Sequence, residues 1–206
     1  MGPAAPRVFS TEHNADAMSA FLWRGRLSGR QEFVDTASKL REFLFRVMAV
    51  ESSDPPTFWF KVGARDASLY LDALTWTTLA LAGFDADPRL TRALAHAEST
   101  LRVGSGRLAL VTDVVGFRDA DTAAIGKVWS EGTEGMVAAR FSIGDDAAAR
   151  RYHQETAKLQ TASGGIPYAT ENTDGWTTDA SVAGTAWFLV NEASPRRNPF
   201  APAIRR

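Results

Sequence analysis

The chain has 206 residues, 45% hydrophobic and 23% charged, which suffices for one domain with a real core. Its 23 Lys+Arg nearly cancel 24 Asp+Glu, so no broad basic field exists to hold a nucleic-acid backbone, and nucleic acid is excluded as a partner. There is no Cys, which excludes disulfide scaffolds, Cys-ligated zinc and thiol nucleophiles.

The first residues, Met1 to Arg7, lack a positive segment followed by an apolar run. No later stretch reaches the roughly 18 uninterrupted apolar residues of a membrane span, so the chain is expected in the cytoplasm, away from membranes. Residues 12–27 open with Glu12 and turn small and apolar, predicting a helix that other protein surrounds. Residues 30–48 alternate Arg30, Glu32, Asp35, Lys39 and Glu42 with Phe33, Val34, Leu40 and Leu44, the stripe of a surface helix. Ser28-Gly29-Arg30-Gln31 reads as its capping box.

The pattern then repeats. A connection over 50–66 leads to a charge-poor helix at 69–83 and a charged one at 88–102, the latter opened by Asp87-Pro88. A second connection, 104–126, precedes a charge-poor helix at 130–143 and a charged one at 146–159, with acid at its start in Asp145 and Asp146. A third, 162–178, precedes a last charge-poor helix at 180–191 and the tail 195–206. Alternating inner and outer helices are the grammar of stacked αα-hairpins. The expected fold is all-α: a single domain over 1–206, an incomplete α/α toroid of about seven helices with long rim loops. Four inner helices against three outer ones make this about half of a six-hairpin ring. Both end helices would then be bare, and a missing N-terminal half or self-association is expected to cover them.

Every inner helix begins on the rim where the connections emerge, and each of the four segments opens with an acid: Glu12, Asp72, Glu131 and Asp179. Glycoside hydrolysis needs two carboxyl groups flanking the scissile bond. Glu131 and Glu134, at i and i+3, are candidates on one face of the third inner helix, with Asp72 and Glu12 in equivalent places. Acids in a first turn also simply complement the helix dipole. Gly132 and Gly135 each cost about 1 kcal/mol against Ala in a helix, which points to close approach by backbone or ligand. Sugar rings stack on flat apolar surfaces, and Trp76, Trp129, Tyr168 and Trp176 lie in or beside the rim segments. Trp23 and Trp187 fall late in inner helices and read as core. His13 follows Glu12 and can donate to a substrate hydroxyl, whereas His96 and His153 fall on outer helices and are expected in solvent. No His-x-x-x-His spacing suggests a metal, and no calcium-loop pattern gathers Asp113, Asp119 and Asp121, so no metal or other cofactor is expected. Gly104-Ser105-Gly106-Arg107 is not a phosphate loop, and Ser181 lies in no nucleophile elbow.

Four stretches resemble one family: Ser10-Thr11-Glu12-His13-Asn14, Val128-Trp129-Ser130-Glu131-Gly132-Thr133, Gly164-Gly165-Ile166-Pro167-Tyr168-Ala169-Thr170-Glu171-Asn172, and Ser181-Val182-Ala183-Gly184-Thr185-Ala186-Trp187-Phe188 with Asn198-Pro199-Phe200. In order and kind they resemble the C-terminal half of the bacterial (α/α)6-toroid, six-hairpin glycosidase-like proteins. The resemblance implies a carbohydrate-facing cavity, and Asn14 and Glu171 in these motifs join the substrate-binding candidates. The expected function is a carbohydrate-active protein of the glycoside hydrolase type. The alternatives are a non-catalytic glycan-binding or scaffold module and a terpenoid-cyclase-like toroid.

Overall fold

Side-chain caps open four of the seven α-helices of the described residues. The computed structural model describes residues 9–54, 56–84, 87–108, 111–122, 127–172, 175–196, 198 and 200. Helix α1 (Thr11–Ser28) starts where the Ser10 hydroxyl accepts the His13 N–H, and it stops at Gly29, whose φ of 69° is left-handed. Helix α2 (Gln31–Phe43) continues into one π-helical turn (Leu44–Met48). Its expected capping box does not form. The α1 helix runs through Ser28, whose hydroxyl donates to the Arg24 carbonyl of its own helix, and α2 begins after Arg30 without a side-chain cap. Helix α3 (Leu71–Leu81) is followed by α4 (Pro88–Leu101), capped by Asp87 with Pro88 in the first turn. Helices α5 (Ser130–Ser142), α6 (Asp146–Ala157, capped by Asp145) and α7 (Val182–Ala193, capped by Ser181) complete the seven α-helices of the described residues.

The fold is mainly α rather than all-α, because the three connections are not irregular loops. They pair as antiparallel hairpins: β1 (Ala49–Ser53) with β2 (Pro56–Phe60), β3 (Arg102–Leu108) with β4 (Val111–Phe117), and the two-residue β5 (Ile166–Pro167) with β6 (Ala180–Ser181). In β2 the period of two puts Phe58 and Phe60 into the core and turns Trp59 toward His96, 5.0 Å between rings. An aromatic run beside prolines reads as a loop until its alternation finds a partner strand. The stretch from Gly104 to Arg107 belongs to β3. Of the expected tail, Arg197, Pro199 and residues 201–206 lie outside the described residues, as do 123–126 of the second connection.

Helices α1, α3, α5 and α7 pack side by side in chain order, and α2, α4 and α6 pack against α1, α3 and α5 respectively. Helices α3 and α5 are buried around most of their circumference, as their charge-poor sequences require. The two end helices keep bare apolar positions: Leu27 on α1, and on α7 Val182 and Leu189, the former 88% exposed. No helix of the described residues is long and apolar enough to cross a membrane. A buried ionic cluster ties the outer layer to the inner one. Arg140 of α5 reaches Glu98 of α4 at 2.6 Å and Asp145 at 2.7 Å, while Tyr152 of α6 also donates to Glu98. Burial and that carboxylate push the Tyr152 hydroxyl up to about 12.

Backbone bonds gather the starts of the inner helices at one end. Residue pairs Ser10 and Gly63, Tyr70 and Ala120, and Trp129 and Ala169 form isolated β-bridges, each joining an inner-helix start to the connection that leads into the next inner helix. The N–H groups of Thr11, Leu71 and Ser130, the first residues of α1, α3 and α5, donate to the carbonyls of Val62, Asp119 and Tyr168. These bonds satisfy otherwise orphaned helix donors and fix three N-termini beside one another.

Candidate carboxylate mouth

Because the three starts are tied in the same way, the second residue of each helix faces the same space: Glu12 of α1, Asp72 of α3 and Glu131 of α5. All three carboxyls are held above their ordinary values. For Glu12 the causes are burial, then the charges of Asp72 and Asp16, opposed by His13. For Asp72 burial comes first, opposed by the Ala73 N–H donating to Oδ1 at 2.6 Å and reinforced by Asp119. For Glu131 the causes are burial, then Asp72 and Glu12. Asp16, one turn below Glu12, is likewise raised by burial. Among the described residues none of these four forms an ion pair with Lys or Arg.

An aromatic wall adjoins Glu131. Tyr168 and Trp176 stack at 4.9 Å and 12°, and Trp129 meets Trp176 edge-on at 5.8 Å. Burial, then Glu131, Asp119 and Asp72, push the Tyr168 hydroxyl upward, so it shares the field of the mouth. Beneath the wall lies Lys127, its side chain 4% exposed, with Nζ 3.6 Å from Asp119 Oδ1 and 4.1 Å from the centre of the Trp176 ring. Lys127 was not singled out from the sequence. It precedes the helix in a connection without periodicity, so no pattern marks it as buried. Asp119, which falls in no calcium-loop pattern, belongs to this mouth, where its charge raises Asp72 and Tyr168.

Other candidates lie elsewhere. Glu134 is 0% exposed and points away from the mouth: its carboxylate meets His153 Nδ1 at 3.0 Å and accepts from Asn191 Nδ2 at 2.8 Å, joining α5 to α6 and α7. Glu131 and Glu134 therefore do not share a working face. His153 is not in solvent, since it also meets Glu192 and stacks on Phe188 at 4.5 Å. His96 is half-buried against Trp59, and that burial lowers its pKa. Trp76 lies one turn below Asp72, against Trp187 at 4.9 Å. Asn14 is held by its own helix start, Nδ2 donating to the Ser10 carbonyl at 2.7 Å. His13 and Glu171 are exposed, His13 near enough to Glu12 and Asp16 to favour their charged forms. Among the described residues no three His, Asp or Glu side chains gather as a metal site would.

The glycines of α5 serve aromatic packing. A Cβ on Gly132 would stand 2.2 Å from Trp129 Cε3, and one on Gly135 would stand 3.2 Å from Thr75 Oγ1 and 3.6 Å from Trp76 Cζ3. Trp129 is buried and hemmed in by Trp176, so it cannot yield cheaply. Gly132→Ala is expected to cost about 2 kcal/mol, because overpacking outweighs the gain in helix propensity. Urea denaturation would read this as a lower midpoint at unchanged slope, and an unchanged midpoint would refute the packing role. No known protein family and no curated protein matches the chain.

Proposed function

We propose that the protein is carbohydrate-active, of the glycoside hydrolase type, and that its side-by-side helices form an open arc of an α/α toroid whose concave face receives a glycan. The observation that carries this reading is the convergence of Glu12, Asp72 and Glu131 at one helical end, each raised by burial and by its neighbours, beside the stacked Tyr168 and Trp176. Neighbouring carboxyls whose charged forms repel give up their protons in succession, so over part of the pH range one holds a proton for the leaving oxygen while another is charged as nucleophile or base. The acid and its partner come from Asp72 and Glu131, with the charge of Glu12 raising Glu131 further. The aromatic wall supplies a flat apolar surface for a sugar face, and the Tyr168 hydroxyl supplies a polar handle at its edge.

The test is incubation with a panel of α- and β-linked oligosaccharides, reading reducing-end release together with calorimetric binding. Release from at least one member is expected. Binding without release would favour a glycan-binding module, for which the aromatic wall alone suffices. Neither binding nor release across the panel would overturn the carbohydrate reading.

A further inference from the structure

The helix faces that carry the three carboxylates continue below them. Trp76 follows Asp72 by four residues, Gly135 follows Glu131 by four, and Ser19 follows Glu12 by seven, so each lies one or two turns, about 5 or 10 Å, beneath its acid on the same side of its helix. Gly135 has no side chain, and the Trp76 indole passes across it toward α7, where it meets Trp187. Onto this pair comes a residue from after the last helix. Phe200 stacks on Trp187 at 5.3 Å and 21°, and leans on Trp76 at 5.8 Å. Its carbonyl accepts from the Ser19 hydroxyl at 3.2 Å and its N–H donates to Asn198 Oδ1 at 2.9 Å. Phe200 is nevertheless 42% exposed, so it covers the tryptophans without being enclosed by them.

A flat ring parallel to an indole, open to solvent on its other side, is the geometry by which a pyranose would bind the same surface. We propose that Trp76 and Trp187 form a ring-stacking subsite one turn below the carboxylates, and that Phe200 is its resident occupant, which a bound sugar displaces. This rests on the carbohydrate reading and adds to it both a second subsite and a regulation: the segment after α7 competes with the glycan for the floor of the cleft. A site populated only when its occupant leaves binds more weakly by the fraction of time it is open.

The experiment compares the full chain with Phe200→Ala, Trp76→Ala and the double variant, titrating cellohexaose, chitohexaose and maltohexaose by calorimetry. Phe200→Ala is expected to bind the preferred hexaose about tenfold more tightly than the native chain, and the added Trp76→Ala is expected to abolish that gain. A second measurement needs no variant: a saturating hexaose should speed tryptic cleavage at Arg196 of the native chain, because displacing Phe200 frees the segment behind it. Binding that is unchanged or weakened in Phe200→Ala, or cleavage unaffected by saturating sugar, would overturn the proposal while leaving the carbohydrate reading intact. If no hexaose binds either the native chain or Phe200→Ala, the carbohydrate reading fails and the subsite falls with it.

Discussion

Glutamine in place of Glu131 is expected to lower glycan turnover by about 10²- to 10⁴-fold, the usual weight of a positioned acid or base, without destabilising the protein. The second half of this expectation separates a working residue from a structural one. Glu131 has a folded-state pKa raised above 4.5 by burial and by Asp72 and Glu12. A raised carboxyl binds its proton more tightly when folded, so its unfavourable contribution is absent below pH 4.5 and grows as pH climbs through the folded value. The amide carries no such cost. Native chain and Glu131→Gln should therefore melt alike near pH 4, and the variant should melt at the same or a higher temperature at pH 7. Initial rates and thermal denaturation at the two pH values check both halves. Retained turnover, or a melting temperature several degrees lower at pH 7, would remove Glu131 from the mechanism.

The opposite outcome is expected three residues later. Glu134→Ala should cost about 3–5 kcal/mol of stability, because removing one member of a buried ionic network strands the rest. Asn191 Nδ2 would lose its Glu134 Oε2 acceptor and, with any shift of α5, its bond to the Glu134 carbonyl at 2.9 Å, and His153 would keep only Glu192, which is largely in solvent. The network also has a pH signature. Burial pulls the His153 pKa down, but Glu134 and then Glu192 prevail, and the folded value lies above 6.5. A raised histidine stabilises fully below its unfolded pKa, and that contribution is lost as pH rises through the folded value. Urea midpoints of the native chain should fall from pH 6 upward through this window, and those of His153→Phe should lack the fall. Equal pH dependence in the two proteins would show that His153 does not carry it.

Much of the helical frame was legible in the sequence. The expected inner helix at 130–143 is observed as Ser130–Ser142 and the outer one at 88–102 as Pro88–Leu101, because a 3.6-residue period and a cap such as Asp87 act within a few residues of chain. The hairpins were not legible. The alternation in Thr57-Phe58-Trp59-Phe60 is too short to outweigh its prolines until β1 lies beside it.

The site divides in the same way. The sequence by itself determined that acids open the charge-poor helices, that aromatics flank them, and that Gly132 and Gly135 admit something close. Tertiary structure alone decided which acids meet. On a surface helix, i and i+3 share one exposed face, but α5 is buried on nearly every side, so a rotation of about 60° separates neighbours of entirely different kind. Glu131 opens toward Asp72 and Glu12, while Glu134 closes against His153 and Asn191. Lys127 under Trp176 and Phe200 on Trp187 are likewise products of packing. Each contact joins residues far apart along the chain, and a pattern that decays within a few helical turns carries no information across that distance.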